Sequence, residues 1–108
     1  MPKSSDFEKI YALSVVIPTF GRSEDLKGLL YSVQTKNNDY EVIVVDDCSP
    51  EPAQFDALKN EFPSVRFLHQ KINAGPGQAR NFGAREAKGK ILLFLDSDTE
   101  LQKGGLEY

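Results

Sequence analysis

NAGPGQARNFGAREAKGKILLFLDSD, residues 73–98, runs a glycine-containing loop, a helical pattern, an apolar stretch and two carboxylates in direct succession. Ala79, Phe82, Gly83 and Ala87 share one helical face, and Gly89 is placed to end that helix. The run 91–95 is apolar without alternation, as expected of a strand buried on both faces. It stops on Asp96 and Asp98. Taken alone, an Asp-Ser-Asp stretch reads as a turn, because these side chains bond the local backbone.

The same unit repeats toward the N-terminus. Three further short runs are LSVVI (13–17), EVIVV (41–45) and VRFL (65–68). Only VRFL is broken by a charge, which marks it as an edge strand. Leu26, Leu29, Leu30 and Val33 form a helical stripe behind an N-cap at Ser23, with Glu24 and Asp25 in the first turn. Phe55, Leu58 and Phe62 form a second stripe, with Pro50 and Pro52 near its start and Pro63 after it. The alternation is βαβαβαβ. It predicts an α/β, Rossmann-like domain: a parallel sheet of order 3-2-1-4 with helices on both faces.

In such a sheet all strands end on one rim, where open α/β folds bind ligands. PTFGR (18–22), DDCSP (46–50), NAGPGQARN (73–81) and DSD (96–98) therefore converge there, while the opposite rim receives connectors such as KNNDY and AKGK. Glycines leading into a helix start that carries Arg80 and Asn81 suit an anion. The dinucleotide fingerprint and the Walker pattern are both absent. Asp96 and Asp98 are hard oxygen ligands for Mg²⁺ or Mn²⁺ when substrate phosphates complete the shell. Asp46-Asp47 reads either as turn chemistry with a helix cap or as a hydrogen-bond acceptor for a ligand. His69, the only histidine, reads as a surface or half-buried residue, and Cys48 receives no catalytic role.

The totals narrow the classes. At 108 residues there is room for one core. A net charge of -3 with no basic block gives no footprint for nucleic acid. One cysteine allows neither an intrachain disulfide nor a cysteine metal cage, and no run is long enough to span a membrane. These features fit a reducing, cytoplasmic setting, with a full-length form peripheral to the membrane. Residues 1–12, which have no apolar signal region, are read as a leader.

In order and spacing, SVVIPTFGR, VIVVDDCSP and NAGPGQARNFGAREAKGKILLFLDSD resemble the nucleotide-sugar-binding half of family 2 glycosyltransferases of the GT-A fold. The resemblance covers residues 13–98. It implies that Pro18 and Thr19 line a nucleoside pocket, that Asp47 bonds the base, usually uracil, and that Arg80 sits near the diphosphate. It makes Asp96 and Asp98 a DXD motif, with Asp98 the direct metal ligand and Asp96 acting on ribose or metal. The implied reaction transfers a sugar from a nucleotide sugar, UDP-linked, to an acceptor hydroxyl with inversion. The implied cofactor is a divalent cation, Mn²⁺ or Mg²⁺. The donor sugar and the acceptor are unspecified.

The chain departs from the family pattern in three ways. Gly21 stands where Asn is common, and Cys48 where Gly is common. After Asp98 only Glu100 and Glu107 remain as acids, and neither lies in the family's base motif. Residues 99–108 are expected to be the start of an acceptor region, and the isolated chain is expected not to transfer sugar. The alternative is a non-catalytic fragment that binds nucleotide or nucleotide sugar. Because Ile91–Leu95 carries neither charge nor proline, self-association through that edge is a further expectation.

Overall fold

The computed structural model describes residues 11–21, 23–33, 40–49 and 52–96. In chain order these form β1 (Tyr11–Thr19), α1 (Ser23–Val33), β2 (Tyr40–Asp46), α2 (Pro52–Glu61), β3 (Arg66–His69), α3 (Pro76–Glu86) and β4 (Gly89–Phe94). The four strands are parallel, in the order β3-β2-β1-β4. The predicted architecture is therefore the observed one, with β3 and β4 at the edges of the described sheet. β1 takes in Tyr11 and Ala12, the last two residues of the stretch read as a leader.

Period-two alternation in β1 and β2 divides the core between two faces. Val15, Ile17 and Val44 pack with Leu26, Leu29, Leu30 and Val33 of α1 and with Phe55 and Leu58 of α2. Val16, Ile43 and Val45 face Ala79 of α3. Each fully buried aliphatic or aromatic side chain contributes roughly 1.5–3 kcal/mol, so the α1/α2 face carries most of the apolar stabilisation. On the other face α3 lies close to the sheet because Gly83 has no side chain. A Cβ there would stand 2.4 Å from Val16 Cγ1.

Two details differ from the expected pattern. Phe62 lies just past the end of α2 but remains buried, its N–H bonded to the Leu58 carbonyl at 2.8 Å. Gly89 does not end the third helix. That helix stops at Glu86, and Gly89 opens β4, where a Cβ would meet the Ser14 backbone nitrogen at 2.5 Å. The glycine is required by close strand contact rather than by a cap.

Away from the strand ends, α1 and α2 are joined by a surface cluster. Glu61 accepts from the Tyr31 hydroxyl and pairs with Lys27 at 3.4 Å, and the Tyr31 ring meets Phe62 edge-on. The Tyr31 hydrogen bond, followed by Lys27, holds the Glu61 carboxyl below its ordinary value of 4.5. β4, expected from its unbroken apolar run to be buried on both faces, is instead an edge strand of the described sheet with Ile91, Leu92 and Phe94 exposed. No helix among the described residues is long and apolar enough to cross a membrane.

Candidate functional site

The carboxyl rim is assembled from the ends of all four strands. Thr19 is paired with Asp46 in the β1–β2 register, and the Asp47 N–H continues the ladder to the Thr19 carbonyl at 2.8 Å. Likewise Gln70 N–H reaches the Asp46 carbonyl, and Leu95 N–H reaches the Val16 carbonyl. These bonds extend the sheet past its regular strands and bring Asp96 onto the same rim as Pro18 and Thr19. Pro18, Thr19 and Asp47 are buried at the base of the rim. Arg80 and Asp96 are more exposed and face each other, Nη2 to Oδ1, at 3.5 Å. Asp98 lies outside the described residues.

Asp47 is held more firmly than its sequence position suggested. Oδ1 accepts the Ala74 N–H at 2.9 Å and Oδ2 accepts the Gly75 N–H at 2.8 Å. The carboxylate thereby fastens the loop before α3 to the end of β2. Gly75 adopts φ +94 as the residue preceding the helix, a conformation that side chains disfavour. Pro76 follows as the first helical residue and has no N–H to lose. The expected anion site at this helix start is therefore partly filled by the protein's own carboxylate. The first-turn N–H groups of Gly77 and Gln78 have no intrahelical partner by position.

Asp46 and its neighbours form a second constellation, at a position the sequence leaves open between turn chemistry and ligand binding. Asp46 Oδ1 accepts the Ser49 N–H at 3.0 Å and the Ser49 hydroxyl. Its Oδ2 lies 3.1 Å from Nδ1 of His69. His69 is thus a surface residue with a definite partner. Between the two acids and Ser49, Cys48 is exposed and adopts φ +60, with its sulfur 3.4 Å from the Lys71 carbonyl. That left-handed conformation accounts for glycine being the better residue at this position. The side-chain oxygen of Gln70 is buried without a hydrogen-bond partner among the described residues. Phe20 and Ile72, in the loops on either side of the Asp46–Ser49 turn, are exposed apolar residues on the rim.

Among the described residues no group of three or more His, Cys, Asp or Glu side chains could hold a metal ion by itself. Asp96 supplies one exposed carboxylate beside Arg80 on the rim. That is compatible with an ion whose shell is completed by substrate phosphates. It does not make a self-sufficient protein cage.

Comparison with known proteins gives this rim a context. Solved structures with the same fold include residues 1–349 of TarS from Staphylococcus aureus in complex with UDP. That chain is 31% identical, with a TM-score of 0.75 over 88% of this chain and 30% of that one. A mannosyltransferase from Pyrobaculum calidifontis shares the fold at a TM-score of 0.75 and 22% identity, over 91% of this chain and 31% of that chain. In sequence, the chain is 40% identical over 87 residues to an uncharacterized glycosyltransferase of Haemophilus influenzae, covering 80% of this chain and 29% of that protein. It is 38% identical over 100 residues to the poly(ribitol-phosphate) beta-N-acetylglucosaminyltransferase TarP of Staphylococcus aureus, covering 88% and 31%. The chain thus spans under a third of the length of these relatives. Residues 14–108 match the model of glycosyl transferase family 2, and the chain belongs to that family.

Proposed function

We propose that this chain is the donor-binding portion of an inverting glycosyltransferase that uses a nucleotide sugar, UDP-linked, and a divalent cation. The observation that carries the reading is the meeting of Pro18–Thr19, Asp47, Arg80 and Asp96 on one rim of a family 2 fold. The 31% identity to TarS, whose structure holds UDP, supports uridine as the nucleoside.

In this reading Thr19 and Pro18 line the nucleoside pocket. Asp47 accepts a base N–H on lone pairs left over from Ala74 and Gly75, since an ionised carboxylate offers about four acceptor positions. The exposed faces of Phe20 and Ile72 give the base apolar surface to cover. Arg80 and the free N–H groups of Gly77 and Gln78 receive the diphosphate. Asp98 and Asp96 would hold Mn²⁺ or Mg²⁺, which when bound neutralises charge on the departing nucleoside diphosphate. The base that deprotonates the acceptor hydroxyl is assigned to no residue of this chain.

Calorimetry of UDP binding with Mn²⁺ present, and again after excess EDTA, tests the reading. Affinity should fall on chelation, and Asp98→Ala should reproduce the fall. UDP binding indifferent to both changes removes the metal from the proposal, and no UDP binding at all removes the donor site. Turnover of UDP-sugar on the same sample distinguishes a transferase from a fragment that only binds.

A further inference from the structure

Gly21 sits in the turn that leaves β1, at φ +67, between the pocket residue Thr19 and α1. Few apolar contacts hold this turn, because Phe20 is 49% exposed and Gly21 has no side chain. Hydrogen bonds hold it instead. The Thr19 hydroxyl donates to the Gly21 carbonyl at 3.1 Å, and the Gly21 N–H donates to the Ser49 hydroxyl oxygen at 2.7 Å. Both peptide groups of Gly21 are therefore fastened, one by the pocket threonine and one by a serine 28 residues away.

Ser49 can act in this way because its own orientation is fixed. A hydroxyl has one proton and two lone pairs. The proton goes to the buried Asp46 carboxylate, which also accepts the Ser49 N–H, so a lone pair is left facing Gly21. Asp46 is 3% exposed, and its second oxygen is met by His69 at 3.1 Å. A carboxylate only accepts, so the His69 nitrogen facing it carries the proton. The Gly21 N–H and the Ser49 hydroxyl run head to tail into the carboxylate, so that one bond polarises the next, and His69 meets the second carboxylate oxygen from the other side. The series runs across the ends of β1, β2 and β3.

We propose that Ser49, oriented by Asp46 and His69, is a positioning residue for the donor pocket. It fixes the Thr19–Gly21 turn, and with it the Phe20 ring, in the form that accepts the nucleoside. The proposal rests on the donor-site reading above and adds to it residues that the family resemblance did not assign. Ser49 touches no ligand in this scheme and acts through Gly21.

The test uses the ¹⁵N-labelled 108-residue chain, with UDP titration and amide hydrogen exchange measured for Ser49→Ala and Ser49→Thr. Ser49→Ala should speed exchange at the Gly21 amide about tenfold relative to the Val15 and Val16 amides of β1. It should weaken UDP binding by about tenfold, and Ser49→Thr, which keeps the hydroxyl, should restore both. An unchanged Gly21 amide in Ser49→Ala overturns the clamp. Faster exchange with unchanged UDP affinity overturns the positioning role. Should Ser49→Ala fail to fold, His69→Ala removes the outer support alone and should give about a threefold change in both readouts. No change in either then overturns the series. A parent chain that binds no UDP refutes the donor reading and the positioning role with it, while the exchange arm still decides whether the clamp exists.

Discussion

β2 carries buried carboxylates at both ends, in opposite surroundings. At its start Glu41, 6% exposed, accepts the Ser14 hydroxyl at 2.6 Å and the Lys88 N–H at 2.5 Å, with Arg66 at 3.6 Å. Those partners belong to β1, to the link into β4 and to β3, so Glu41 ties the sheet frame together. At the other end, Asp46 and Asp47 bond Ser49, His69, Ala74 and Gly75. These belong to a turn, a strand end and a loop. Glu41 has a guanidinium beside it. Asp47 has no cation within ion-pair distance among the described residues, only N–H dipoles. One end of the strand is closed and neutralised, while the other keeps negative charge and unused acceptor positions facing a rim. Similar residues on one strand thus serve architecture at one end and, in the donor-site reading proposed above, recognition at the other.

The sharpest way to break this contrast is Glu41→Ala. Removing a buried carboxylate that satisfies a hydroxyl, an N–H and a guanidinium should cost about 3–5 kcal/mol of stability. Chemical denaturation would read the loss, and a cost below about 1 kcal/mol would mean that Glu41 is not part of the frame. Asp47→Ala should show the reverse emphasis. UDP affinity should fall by roughly 1.5–3 kcal/mol, the worth of a charge-assisted hydrogen bond, with a smaller loss of stability from releasing the Ala74–Gly75 loop. Equal UDP affinity in the variant and the parent would take Asp47 out of the donor site.

Cys48→Gly sharpens the comparison from the carboxyl end. A non-glycine residue in the left-handed region costs about 1–2 kcal/mol, partly offset by the greater chain entropy of glycine in the unfolded state. The midpoint of thermal unfolding should rise, and a fall would show that the Cys48 contact with Lys71 outweighs the backbone strain. The smallest effect belongs outside both ends. Because Glu61 is held below its ordinary 4.5, its contribution is complete above that value and is lost as pH falls through the lower folded-state value. Glu61→Gln should therefore narrow the stability difference between pH 6 and pH 3 slightly. An unchanged difference would show that the Tyr31–Glu61–Lys27 cluster contributes nothing measurable at this exposure.

Much of the fold was legible because it rests on local pattern. Continuous apolar runs marked the strands, the stripes at Leu26–Val33 and Phe55–Phe62 marked two helices, and alternation of the two implied a parallel sheet. The rim followed from topology, since what comes after each strand must share one edge. The frame at the other edge was not legible. Glu41 reads as a charged residue at a strand mouth, and its burial depends on Ser14, Lys88 and Arg66, which only the folded sheet brings near. Gly89 was misread for a related reason: a glycine after a helical stripe suggests a cap, whereas the constraint comes from the Ser14 backbone 75 residues earlier. At the site, the placement of Pro18, Thr19, Asp47, Arg80 and Asp96 on one rim was readable from topology. The engagement of Asp47 by loop amides and the His69–Asp46 pair were not, because both require knowing which side each loop folds toward. The unusual residues Gly21 and Cys48 were visible as departures; positive φ explains a glycine at the first and makes the cysteine the less favourable residue at the second.

The place of β4 beside β1 also sets an order of assembly. Ser14 meets Glu41 across 27 residues, but it meets Gly89 across 75. Closing the longer span costs about 0.9 kcal/mol more in chain entropy. β1 and β2 can therefore pair while much of the chain has yet to leave the ribosome, whereas β1 must wait for β4. Until then β1, one of the two inner strands of the described sheet, has one bare side, a row of open N–H and C=O groups along SVVI. Pulsed hydrogen exchange during refolding should find β4 amides protected after those of β2, and simultaneous protection would show a single closing step. The nascent chain is thus open to mispairing along a strand that ends up inside the sheet.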